Sequence, residues 1–124
     1  MRIVKTSTTK TWATGAGHAA QTASITGITG TLVGATMQVS EVTGDPDVTL
    51  TVTDANSLTL FTSGAKNDGT NYRFNARSYK AVQDADFNPV PLVNESLTIS
   101  IDPDADAGGA AQTLTVTVDL YLEQ

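Results

Sequence analysis

Three aspartates, Asp102, Asp104 and Asp106, stand at every second position in "IDPDADAGGAAQTLTV", directly ahead of a double glycine. Carboxylates at that spacing open a calcium loop, where alternate side chains converge on one hard cation. The pattern stops short of an EF-hand. Counted from Asp102, the sixth position is Ala107 instead of the turn glycine, and the twelfth is Thr113 instead of a bidentate glutamate. Asp102, Asp104 and Asp106 remain a candidate for a non-EF cation site, set against the expectation of an acidic, solvated loop between two strands.

Other chemistry finds less support. His18, the single histidine, lies in "GAGHAA" among small residues, with no GxSxG nucleophile motif anywhere in the chain. One histidine and no cysteine cannot supply the usual zinc ligands. Asp84 and Asp86, with Glu95, offer the carboxylates of a glycosidase pair. Only seven aromatic residues are present, however, and several must fill the core before any can line a sugar cleft. The sequence predicts no enzyme, no cofactor and no metal beyond the aspartate candidate.

Cations are distributed unevenly. The net charge is −6, from seven Lys and Arg against thirteen Asp and Glu. Arg2, Lys5 and Lys10 give residues 1–40 a charge of +3 with no acid, whereas residues 41–124 carry −9. A basic N-terminal stretch on an acidic body is either incidental or reaches an acidic surface on a neighbour or partner. In "NYRFNARSYK" (71–80), Arg73, Arg77 and Lys80 alternate with Tyr72, Phe74 and Tyr79. Such interleaving can bind single-stranded nucleic acid, but in a strand the rings would face inward and the acidic total opposes phosphate binding. The candidate partner-contact residues are therefore Arg2, Lys5, Lys10, Trp12, Arg73 and Arg77, with nucleic acid not expected as the partner.

These residues must be carried by strands. Threonine fills 21 of 124 positions, and its branched Cβ suits a pleated, half-exposed surface. Strict alternation marks "DVTLTVTD", "SLTISID" and "QTLTVTVDLYLEQ", in each of which one face is apolar and the other polar. This is the signature of antiparallel strands with one wet face. Gly, Pro, Asp and Asn punctuate the runs at "GITG", "TGDP", "DANS", "SGAKNDGT" and "DPDADAGG".

Strands are predicted near 2–12, 19–26, 31–42, 47–53, 57–62, 70–76, 96–102 and 112–122. Between 80 and 95 an irregular segment is expected, with Pro89 and Pro91 keeping it out of any central strand. In the hairpin over 47–62, Asp54 should make an Asx bond, Asn56 can take a left-handed conformation, and Leu58 and Leu60 should share the face of Val48, Leu50 and Val52. The fold class is all-β: a single antiparallel β-sandwich, jelly-roll-like or immunoglobulin-like, of about eight strands. Residues 1–15 form an N-terminal arm or edge strand and 16–124 the sandwich. No secretory h-region and no apolar run near the roughly 20 residues of a membrane span is present, so no membrane partner is expected.

Several segments together resemble small structural proteins of tailed bacteriophages. They are the "ITG" turn at 28–30, "VTLTVTD" at 48–54, "LTLF" at 58–61, "FNPVP" at 87–91 and "TVTVDLY" at 115–121, within residues 25–124. "DANS" departs from the family's Asn-Gly-type turn, with Ser57 where glycine would be expected. The resemblance implies a head decoration, or cement, protein on the capsid surface, made in the host cytoplasm and carrying no catalytic residues. Its implied partner is the major capsid protein or another virion protein, and it would form homo-oligomers, a trimer being favoured. Alternatives are a tail, collar or fibre-base component, or a carbohydrate- or surface-binding module using Trp12, Tyr72 and Tyr79.

Overall fold

The structure is a computed structural model and describes residues 2–76, 85–87 and 89–124. The described residues form eight strands and no helix: β1 (Ile3–Ala13), β2 (Gln21–Val39), β3 (Asp47–Thr53), β4 (Thr59–Asn67), β5 (Asn71–Ala76), β6 (Ala85–Phe87), β7 (Val90–Pro103) and β8 (Thr113–Glu123). Their hydrogen-bonded order is β1-β8-β2-β7-β3-β4, with β5 on β2 and β6 on β5. All ladders are antiparallel except β5–β6, a parallel exception to the expected pattern.

The 19-residue β2 belongs to two leaves. Its first half, residues 21–32, pairs with β7, while residues 31–39 lie between β8 and β5. One leaf is thus β1-β8-β2-β5-β6 and the other β2-β7-β3-β4. "GITG" is not the turn the sequence predicts. It holds two register shifts against β7, between Ile25 and Ile28 and between Ile28 and Gly30, so the strand bends between leaves without ending. Gly30, at φ 138°, is required there, because a Cβ would lie 2.6 Å from the Glu123 carbonyl.

Alternating residues of both leaves build one core. Val48, Leu50 and Val52 of β3, Leu97, Ile99 and Ile101 of β7, and Leu114, Val116, Val118, Leu120 and Leu122 of β8 are buried together with Met37 and Phe74. Pro91 stands inside β7, opposite Thr31, contrary to expectation. Its position is tolerated because β3 pairs only with 98–103, so that no described strand takes the side of β7 away from β2 at Pro91. Residues 80–84 and 88 of the expected irregular segment lie outside the described residues.

The β3–β4 hairpin forms with a changed face. Asp54 Oδ1 accepts from the amides of Asn56 and Leu58, each at 2.9 Å, which is the expected Asx bond. Ser57, not Asn56, takes the left-handed backbone, at φ 62°. Register shifts follow between Val52 and Thr53 and between Thr49 and Thr51, so Phe61 and Ser63 face the core and Leu58 is exposed. At the second shift the buried Ser63 hydroxyl accepts from Leu50 N at 2.9 Å, replacing a ladder bond.

Candidate interaction surface

At one end of the sandwich the acidic loop is tied to its neighbours. Asp102 lies exposed in β7 opposite Thr49. Asp104 Oδ1 accepts from Asp47 N at 2.8 Å, and its own amide donates to the Asp47 carbonyl. Asp106 accepts from Gly108 N at 2.9 Å and Gly15 N at 3.1 Å. Its carboxyl is held below the usual range, chiefly by the Gly108 amide; burial opposes this, and the amides of Gly15 and Gly17 and the nearby His18 each add a smaller lowering. The His18 ring sits 3.2 Å from the Pro103 carbonyl.

The Asp104 and Asp106 carboxylates thus engage separate backbone groups, while Asp102 stands exposed on β7. Among the described residues, no cluster of three or more His, Cys, Asp or Glu is placed to hold a metal ion. Asp104 and Asp106 tie loops together, and Gly44 completes the tie: its amide donates to the Ala107 carbonyl at 2.7 Å, and a Cβ there would lie 2.2 Å from the Asp106 carbonyl.

A second acidic group escaped the sequence reading. Asp68 is buried and accepts from Val42 N at 2.7 Å. Asp45, in the left-handed region at φ 52°, bonds Asp68, and that bond raises its pKa, with repulsion from Asp68, burial, Asp47 and Glu41 adding to it. Asp45 and Asp68 are far apart in sequence and no local pattern announces the pair.

Of the N-terminal cations, Lys5 and Lys10 lie on β1 and Arg2 directly precedes it; β1 pairs with β8 along its whole length, from Ile3–Glu123 to Ala13–Thr113, without a bulge. The pair Arg2–Gln124 exchanges both main-chain bonds, at 3.0 and 2.7 Å, and Thr14 N donates to the Gln112 carbonyl. Alternation between those ends sets every other residue. Even-numbered residues turn their amides and carbonyls to β8; odd-numbered ones turn them outward. The Thr11 carbonyl accepts from Gln21 Nε2 at 2.7 Å. Ile3, Lys5, Ser7 and Thr9 are left with an edge that no described strand pairs.

Side chains on β1 divide the same way. Lys5 projects from the exposed outer face, while Lys10 is half-buried on the core-facing side. Trp12 is not a surface anchor: it is 4% exposed, packed in the chain's own core, and its indole N–H donates to the Ala19 carbonyl at 2.7 Å. Its ring is consumed by folding because it faces inward opposite Leu114.

The outer face of the β1–β8–β2–β5 leaf is a polar grid. Across the strands run the rows Lys5–Tyr121–Gly34–Asn75, Ser7–Asp119–Thr36–Arg73 and Thr9–Thr117–Gln38–Asn71. Asp119 accepts from the hydroxyls of Ser7 and Thr36, and Thr9 bonds Thr117 at 3.0 Å. A shallow groove of about 520 Å³ crosses it, lined in part by Arg73, Asp119 and Tyr121. Arg73 is exposed on this face. Arg77, Tyr79 and Lys80 lie outside the described residues. Tyr72 faces the core side, stacked on Phe74 at 6.4 Å.

No protein-family model matches the chain, and no curated protein matches it in sequence. Among solved structures it is similar to that of the infectious bursal disease virus Gx strain, at a TM-score of 0.48 and 14% identity, covering 98% of this chain and 32% of that one. It is similar as well to the Yersinia pseudotuberculosis-derived mitogen, at a TM-score of 0.43 and 11% identity, covering 98% of this chain and 87% of that one. A third likeness, at a TM-score of 0.36 and 14% identity, is to the infectious bursal disease virus VP2 subviral particle, covering 98% and 37% of the two chains. The chain spans about a third of the length of the viral proteins it resembles. Likenesses this distant carry no argument about what it does.

Proposed function

We propose that this chain is a structural protein of a tailed-bacteriophage virion, a head decoration protein bound to the outer lattice of the major capsid protein. The observation that carries the reading is the lysine-bearing β1, whose outer edge no described strand pairs, on an otherwise acidic two-leaf domain. The sequence resemblance to phage structural proteins supplies the particle. A decoration protein needs a stiff scaffold and repeated contacts, and it needs no reaction chemistry. Main-chain groups on a strand edge can provide such contacts with little demand on sequence.

Quantitative mass spectrometry of purified particles tests this. A copy number comparable with that of the major capsid protein is expected. A few copies per particle would instead assign the chain to the tail, collar or fibre base, and absence from particles would overturn the virion reading altogether.

A second reading, a saccharide-binding surface module, is favoured by the groove that Tyr121, Asp119, Gln38 and Asn71 help to line. A ring beside amide and carboxylate groups suits a polyhydroxylated ligand. Glycan titration observed at Tyr121 distinguishes it: shifts there favour the module, and none dismisses it.

A further inference from the structure

We infer that the outward edge of β1 is an augmentation site for an extended acidic strand of a different protein, one whose carboxylates lie five residues apart. The inference rests on reading the N-terminal strand as a contact surface, whichever particle carries it. Four successive odd-numbered residues, Ile3, Lys5, Ser7 and Thr9, present both main-chain groups away from β8. An added strand would bond to those groups and extend the leaf by one strand spacing.

The side chains specify the occupant. Directly opposed residues on neighbouring strands share a face. A strand laid along β1 therefore places one residue beside Lys5 on the outer face and another, five positions away, beside Lys10 on the core-facing side. Among the described residues neither lysine has an ion-pair partner, although the chain carries thirteen acids. A carboxylate opposite each supplies the missing charge, and the pair at the half-buried Lys10 is the less screened.

The same spacing excludes a second copy of this chain. No two acidic residues in its sequence lie five positions apart. Two β1 strands side by side would instead add two cations to two, with Arg2 just ahead of each and no acid in residues 1–40 to offset them. Lysine on an edge strand guards against self-pairing in this way, and that same charge selects an acidic partner.

The parity of β1 provides the test. Proline at an odd position removes an outward amide but no bond to β8, and the edge of a sheet tolerates it. The probe is a synthetic Thr/Val peptide with two glutamates five positions apart, titrated into the isotopically labelled full chain and followed by NMR. Binding should shift and protect the amides of Lys5, Ser7 and Thr9, and exchanging both glutamates for lysine should abolish it. Lys5→Pro should weaken binding about tenfold, as expected for losing one main-chain bond together with the lysine charge, while its spectrum away from β1 remains native.

Lys5→Ala, which retains the amide, should weaken binding only a few-fold. No shift at the odd-numbered amides overturns the proposal, as does equal binding of the lysine peptide. Concentration-dependent self-association through β1 in analytical ultracentrifugation, without peptide, overturns it in favour of a second copy. These measurements use the isolated chain, so their failure is separable from failure of the virion assignment, which is read on particles.

Discussion

At the scale of single residues, hydrogen bonds to backbone decide more than ion pairs do. Ser63 stands in for a missing rung between β3 and β4, so Ser63→Ala would bury the Leu50 amide without a partner. An orphaned buried donor costs about 1–3 kcal/mol, and a lower denaturant midpoint with an unchanged m-value is expected. Leu50→Ala, at a fully buried site, should cost about 2–5 kcal/mol.

Two carboxyls set opposite pH responses. Asp106 has its folded pKa lowered from 3.8, so its contribution is complete above that unfolded value and fades as pH falls through the lower folded one. Asp106→Asn should therefore lower Tm at neutral pH, with the gap to the native chain narrowing in acid. Asp45 has its folded pKa raised from 3.8. Its ionised form disfavours the fold, and stability returns as pH falls from the raised value toward 3.8. Asn tolerates the left-handed backbone at position 45, so Asp45→Asn should raise Tm at neutral pH, an advantage that closes in acid. Thermal melts across that window check both signs.

Elements differ in what their backbones leave open. Thr8 turns its amide into the β8 ladder, whereas Lys5 turns its amide outward. Thr8→Pro should destabilise the domain by about 1–3 kcal/mol through the ladder bond it removes and the β8 partner it leaves unpaired, and Lys5→Pro should leave it folded; circular-dichroism melts of the two variants measure the difference. The Gly44 contact tests the end loops similarly. Gly44→Ala forces the backbones of 44 and 106–107 apart, and hydrogen exchange should show lost protection of the Gly44 amide, which donates to Ala107.

For the molecule as a whole, the partition of charge and of unpaired backbone coincides. The stretch without acids supplies β1, and β1 ends the sheet on one side. The acidic remainder supplies loops whose carboxylates bond neighbouring amides, as at Asp54, Asp68, Asp104 and Asp106. The proposed docking through β1 would draw on that partition, meeting an acidic partner at the basic edge.

The sequence by itself determined the all-β class, the apolar rows of β3, β7 and β8, the Asx bond at Asp54 and the separation of charge. Each is local: alternation of two and the chemistry of a short turn act within a few residues. Only the tertiary structure decided that "GITG" bends one strand between leaves, that Pro91 lies within β7, that Leu58 is exposed and that Trp12 belongs to the core. It likewise decided which amides of β1 face outward, because that parity is set by β8, more than a hundred residues away in the chain. Pairing over such distances is fixed by which faces can be buried together, a property of the whole fold that no window of the sequence contains.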